Sequence, residues 1–158
     1  MNHDGVVLRG YRDGDLDAMF RLDEVCFEAP FRFSRSAMRR FAEARRARVV
    51  IAESGGELAG FCIVHVEMVE LESVGYVVTL DVASMHRRNG VATRLMEQSE
   101  VEAHDAGCSS MALHVFTGNE AAIRFYERLG YERVAMRRRF YGADGLDALV
   151  YRKEIASL

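Results

Sequence analysis

Hydrophobic and polar positions repeat with two periods along this chain, about two residues in some stretches and about three and a half in others. The switches between them mark out its elements. Val6 to Arg9 is a short apolar run that predicts a first strand. From Asp13 to Phe27, the residues Leu16, Met19, Phe20, Asp23 and Phe27 fall at helical spacing, with Asp13 or Asp15 as cap. Ala29-Pro30 ends that helix, and Ser34 caps a second predicted to run to Ala47. Val49 to Glu53 and Leu58 to Val66 read as strands joined by the turn Ser54-Gly55-Gly56. Gly75 to Val82 is a strand apolar on both faces, which suits a central place in a sheet. Gly90 to Ala106 has helical periodicity through Val91, Leu95, Met96 and Val101 and stops at Gly107. Ser110 to Val115 is a strand, and Asn119 to Leu129 is a helix ended by Gly130. Tyr131 to Arg139 and Leu146 to Glu154 read as two closing strands around the turn Gly142-Ala143-Asp144-Gly145. The predicted order is β-α-α-β-β-β-α-β-α-β-β, a mixed α/β sheet.

The 158 residues suit one domain, residues 1–158, with room for a sizeable core. Apolar residues make up 49% and charged residues 28%, ordinary values for a soluble globular chain. The net charge of -3 supplies no basic field of the kind that attracts nucleic acid. Lys153 is the only lysine, and the arginines are spread along the chain. Cys26, Cys62 and Cys108 lie far apart with no C-x-x-C pair, which argues against a disulfide framework or a zinc site and for a reducing compartment. There is no apolar signal segment at the N-terminus and no apolar run of membrane-spanning length. A soluble, cytoplasmic protein, a monomer or a homodimer, is the expectation.

The segment from Leu80 to Ala92 is the most informative. A buried strand enters a basic loop, and a helix follows at once. That order aims unpaired backbone N–H groups and the positive end of a helix dipole at one point. Gly90 permits close approach of a diphosphate to the backbone, and Arg87 and Arg88 add charge. A surface loop with two solvated arginines would read the same way from the motif alone. The segment matches neither the G-x-x-x-x-G-K-[ST] phosphate loop nor the G-x-G-x-x-G dinucleotide fingerprint, so nucleotide hydrolysis and hydride transfer are disfavoured.

With Arg87, Gly90 and Ala92, the loop resembles the [QR]-x-x-G-x-[GA] acyl-CoA pyrophosphate loop of the GNAT superfamily. The block from Asn119 to Tyr131 is similar to that superfamily's N-x-x-A-x-x-[FL]-Y-x-x-x-G-F stretch, in the right order and at the right spacing. The element order matches as well, so the resemblance covers nearly the whole chain. Tyr76 to Leu80 and Leu113-His114-Val115 resemble the corresponding strands of the NatE-type N-terminal acetyltransferase subunit. Arg139-Phe140-Tyr141 with Asp147-Ala148 resembles both that subunit and the RimI-type ribosomal-protein acetyltransferases. Phe140 departs from the Tyr-Tyr pair of many relatives, and His114 stands where RimI-type enzymes usually carry Glu. The resemblance implies a GNAT fold, a mixed, mostly antiparallel sheet of about six to seven strands flanked by about four helices.

It also implies acetyl-CoA as co-substrate, no metal, and an N-acetyltransferase that works by direct attack of an amine on the thioester. Leu80, Asp81 and Val82 would bond the pantetheine arm through their backbone, like an added strand, in a splay beside the Ser110 strand. Arg87, Arg88, Asn89, Gly90, Val91, Ala92 and Thr93 would hold the pyrophosphate end. Asn119, Ala122, Phe125 and Tyr126 would line the cofactor from the second block, although Asn119 is also an N-cap by position and Phe125 and Leu129 also read as core.

Amine acylation needs a base for the ammonium proton and an acid near the leaving thiolate. His114 is the base candidate: it shares a strand face with Ser110 and Ala112, opposite Met111, Leu113 and Val115, and imidazole titrates near neutrality. A packed strand histidine is the other reading. The resemblance makes Tyr76 its partner, holding the water that relays the proton, and makes Tyr126 the acid near the CoA sulfur. Phe27, Pro30, Phe31 and Tyr141 are candidates for the acceptor pocket and equally read as core. Arg137, Arg138 and Arg139 read as a solvated strand edge before a basic substrate patch. His65 and His86 read as structural. The expected acceptor is the N-terminal α-amine of a peptide or protein. A polyamine, amino acid or antibiotic amine is the alternative, and a non-catalytic acyl-CoA-binding module is the weaker one. Neither nucleic acid nor membrane is an expected partner.

Overall fold

A computed structural model describes residues 5–141 and 146–156. Seven strands form one sheet in the order β1-β2-β3-β4-β5-β7-β6. They are β1 (Val6–Gly10), β2 (Ala47–Ser54), β3 (Glu57–Val69), β4 (Glu72–Val82), β5 (Ser110–Phe116), β6 (Glu132–Arg137) and β7 (Ala148–Glu154). Only β4 and β5 run parallel; every other neighbouring pair is antiparallel. The α-helices are α1 (Leu16–Cys26), α2 (Arg35–Ala42), α3 (Val91–Asp105) and α4 (Glu120–Arg128), with one-turn 3₁₀ helices at Ala29–Phe31 and Ser84–His86. This is the expected GNAT-type sheet with four helices.

The sheet separates two cores. Alternation along each strand sends one set of side chains to α1 and α2, where Leu16, Met19, Met38, Ile51, Phe61 and Ile63 pack together. The other set meets α3 and α4, with Val64, Leu95, Met96, Met111 and Leu113 among its buried members. On that second side Glu100 of α3 is buried. It accepts hydrogen bonds from Tyr131 Oη at 2.8 Å and Lys153 Nζ at 2.9 Å, joining α3 to β7.

Local chemistry explains most boundaries. Ser34 Oγ accepts the Ala37 N–H at 3.1 Å and starts α2, a cap worth about 1 kcal/mol. Gly55 and Gly56, at φ 59° and 82°, make the two-residue turn between β2 and β3. Several expectations need correction. Helix α2 ends at Ala42 rather than Ala47, because Ala47 pairs with His65 in the sheet and strand pairing overrides the helical propensity of the segment. Asp15 stands at the N-cap of α1 without capping it: its carboxylate is taken by Arg9 and the Arg12 N–H. Strands β3 and β4 are longer than predicted and meet in a tight hairpin at Glu70 and Leu71, both at positive φ. The predicted turn at Gly142 to Gly145 lies outside the described residues. Strand β6 is an edge strand exposed along its whole length, which places Arg137 on the expected solvated edge.

Candidate active site

The parallel pair β4 and β5 opens partway along. The two strands pair from Val74 opposite Ser110 to Val77 opposite Leu113, and no further. Two features drive the split. Val78 is an extra residue in β4, since Ile63 faces Thr79 while Val64 faces Val77, and such a bulge bends its strand. Strand β5 meanwhile stays paired with β7 to Phe116. The β4 edge from Val78 to Val82, which includes Leu80 and Asp81, therefore has no strand on its β5 side and can accept an extended ligand.

Helix α3 begins just beyond this cleft. Its first intrahelical bond runs from the Arg94 N–H to the Gly90 carbonyl at 3.0 Å, and Gly90 sits at φ 81° with no side-chain cap. The N–H groups of Val91, Ala92 and Thr93 are thus free of helical acceptors and carry the positive end of the dipole. Arg87, Arg88, Asn89 and Gly90 are exposed around them. The Arg87 guanidinium is partly anchored, its Nε donating to the Val82 carbonyl at 3.1 Å beside Cys26. Unpaired amides, a left-handed glycine, two guanidiniums and a free strand edge fit an extended ligand ending in a diphosphate.

The predicted base and its partner meet across the mouth of the cleft. Tyr76 pairs in register with Ala112, and alternation along β5 puts His114 on the same face. Tyr76 Oη and His114 Nδ1 are 2.9 Å apart. Burial, with the nearby Arg137 charge second, holds the imidazole below its ordinary value, so it is neutral at pH 7. Burial pushes the Tyr76 hydroxyl up to about 12, so it keeps its proton.

An aromatic wall stands beside this pair. Phe140 stacks on the His114 ring, centroids 4.0 Å apart and planes within 5°. Tyr141 meets Phe140 edge-on at 5.0 Å and Phe31 at 4.8 Å, and Phe31 packs on Phe116 at 5.3 Å. Of the predicted pocket residues, Phe31 and Tyr141 are thus joined, while Phe27 ends α1 and Pro30 is exposed in the 3₁₀ turn. Phe116 and Phe140 were not predicted as wall residues. Phe116 was legible in principle, two residues from His114 on the same face of β5.

Helix α4 lies on the other side of the sheet. Asn119 Oδ1 caps it by accepting the Ala122 N–H at 3.1 Å. Ala122, Phe125 and Tyr126 form a stripe against the α3-side core. Burial drives the Tyr126 hydroxyl far above its ordinary value. His65 is structural as expected, its Nε2 bonded to the Phe41 carbonyl at 2.9 Å.

Residues 16–131 match the description "Acetyltransferase (GNAT) family", and the chain belongs to that family. An N-alpha-acetyltransferase of Sulfurisphaera tokodaii is 26% identical over 152 residues, covering 89% of this chain and 88% of that one. The ribosomal-protein-S18-alanine N-acetyltransferase of Escherichia coli shares the fold with a TM-score of 0.82 at 23% identity, covering 97% and 96% of the two chains. Arabidopsis thaliana Naa50, solved with the bisubstrate analogue CoA-Ac-MVNAL, is 25% identical with a TM-score of 0.79, covering 95% and 99%. Of several longer relatives the chain spans only 20% to 56%.

Proposed function

We propose that this acetyltransferase moves the acetyl group of acetyl-CoA to the N-terminal α-amine of a peptide or protein. The observation that carries the reading is the Tyr76–His114 pair, 2.9 Å apart at the mouth of the β4–β5 cleft and walled by aromatic rings. The Sulfurisphaera relative and the bisubstrate-bound Arabidopsis structure support it.

Acetyl-CoA supplies the thioester. The β4 edge at Leu80 to Val82 and the amides and arginines of residues 87–93 hold it, with Asn119, Ala122 and Phe125 alongside. In the tautomer with hydrogen on Nδ1, His114 donates to Tyr76 Oη and keeps its Nε2 lone pair as the base. When Nε2 takes the ammonium proton, directly or through water, the Nδ1–H···Oη bond becomes charge-assisted and stabilises the imidazolium. A weak base of this kind suits an α-amine. At pH 7 roughly one α-amine in ten is already neutral, against fewer than about one in a thousand lysine amines. Tyr126 keeps its proton and supplies it to the leaving thiolate. Tyr126→Phe is expected to lower turnover by about 10²-fold with little change in acetyl-CoA KM; full activity in that variant removes the role.

Thiol release from acetyl-CoA tests the acceptor against two pools, short peptides with varied first residues and free small amines. Release with peptides alone is the expected result. Release with small amines alone overturns the peptide reading, and release with neither leaves a protein that binds acyl-CoA without turnover.

A further inference from the structure

Two carboxyl side chains with no part in the mechanism meet on the α1 side of the sheet, one of them on Asp81, whose backbone belongs to the cofactor-binding edge. Asp23 of α1 is 0% exposed and Asp81 of β4 is 1% exposed. Asp81 lies opposite Phe61 and Thr79 opposite Ile63, so both point to the α1 side of the sheet. Each carboxyl spends one oxygen on an evident donor. Asp23 Oδ2 accepts the Phe33 N–H at 2.8 Å, and Asp81 Oδ1 accepts the Thr79 hydroxyl at 2.6 Å. The other two oxygens, Asp23 Oδ1 and Asp81 Oδ2, are buried and receive no donor. The two carboxyl groups interact directly, and two ionised carboxylates side by side and away from water would repel and lose their hydration, which favours a single proton shared between them. Burial holds Asp81 well above the usual carboxylate range and raises Asp23 as well.

The chain of bonds runs from the Phe33 amide through both carboxyls to Thr79. It ties the segment 27–33, which carries Phe31 of the aromatic wall, to the strand edge that faces the cofactor. The strand cannot yield. Val82, Asp81 and Leu80 pair with Gly60, Phe61 and Cys62, and a Cβ on Gly60 would lie 2.7 Å from the Asp81 carbonyl. The segment yields more readily: residues 28–30 and 32 are exposed, and its other ties include Phe33 packed on Phe41 and the Cys26 thiol at 3.5 Å from the Val82 carbonyl.

We propose that Asp23 and Asp81 are positioning residues for the acceptor side of the site, sharing one proton that clamps segment 27–33 onto β4. Loss of the proton as pH rises separates the carboxylates and loosens the wall that Phe31 builds with Phe116 and Tyr141. The other charged and titratable groups around the pair are Arg32 and Glu24 beside Asp23, and Cys26, Cys62, Arg87 and Tyr126 around Asp81. Burial raises both thiols and Tyr126, which keeps all three neutral around the pair at pH 7.

The kinetic test rests on the acyl-transfer reading; a spectroscopic one does not. Acceptor and acetyl-CoA KM are measured from mildly acidic to alkaline pH for the wild type, Asp81→Asn and Asp23→Asn. The acceptor is the one that the two-pool assay identifies. In Asp81→Asn the amide donates to Asp23 and still accepts from Thr79, so the clamp no longer titrates. In Asp23→Asn the amide likewise donates to Asp81 and still accepts the Phe33 N–H, and the acceptor KM of the wild type should rise about fivefold or more at alkaline pH relative to that of Asp23→Asn, with acetyl-CoA KM unchanged in both. Effects on the amine itself cancel in that ratio. Asp81→Asn should give the same acceptor profile and replaces Asp23→Asn if that variant fails to fold. Infrared spectra of protein carrying isotope-labelled aspartate should show a protonated carboxyl in the wild type at neutral pH that Asp81→Asn removes. A shared KM profile for wild type and variants, or no such carboxyl band, overturns the proposal. A band present with no acceptor found would uphold the shared proton while the acyl-transfer reading failed.

Discussion

Replacing His114 with alanine is expected to lower turnover at saturating acetyl-CoA on the order of 10²- to 10³-fold, the span of a positioned general base. The acetyl-CoA KM should stay within about twofold, because the amides of residues 91–93 and the β4 edge lie outside the His114 face of β5. His114 touches Tyr76 and Phe140 and is half-buried, so the substitution removes the base without opening the core. In the wild type, activity should fall as pH drops through a value below the ordinary imidazole range, since burial and Arg137 hold the ring below it. The alanine variant should lose that acid limb. Unchanged turnover would remove His114 from the chemistry.

Lys153→Met should produce the largest loss of stability, about 2–3 kcal/mol measured by urea unfolding. Glu100 has a side chain only 5% exposed, and among the described residues Lys153 is its one cationic partner. Removing the ammonium leaves a carboxylate in the α3-side core with only the Tyr131 hydroxyl, and a broken buried pair costs about 3–5 kcal/mol. The lysine side chain is 25% exposed, so the value falls toward or below the low end. Against a total stability of about 5–15 kcal/mol this is a large fraction. The double variant with Glu100→Gln should recover most of it, because glutamine accepts from Tyr131 without needing a charge. A loss under about 0.5 kcal/mol would place the pair among surface ion pairs.

Most of the scaffold was legible because its signals are local. Ser34, Asn119, Gly55, Gly56 and Gly130 act where they stand, and alternation alone put His114 opposite Leu113. The β3–β4 hairpin was not legible, because Glu70 and Leu71 adopt positive φ without glycine or asparagine. Nor was the end of α2, where pairing with β3 decided. In the site, phosphate-loop positions followed from strand, loop and helix in succession. The Tyr76–His114 contact spans 38 positions and came only with the family pattern. The Phe140 stack and the Asp23–Asp81 contact depend on how the 27–33 and 138–141 segments fold back over the sheet, and no periodicity encodes that.

The Lys153–Glu100 pair has a consequence for chemistry at the protein's own surface. A protein that concentrates an activated acetyl ester beside itself risks acylating its own amines. Here the single lysine is tied by its nitrogen to the buried Glu100 at 2.9 Å. Every other cationic side chain apart from histidine is an arginine, whose guanidinium stays protonated at any physiological pH. The surface therefore carries positive charge for an anionic cofactor almost wholly as guanidinium, with one lysine amine that is tied to a buried carboxylate, so the choice of one base over another limits self-modification.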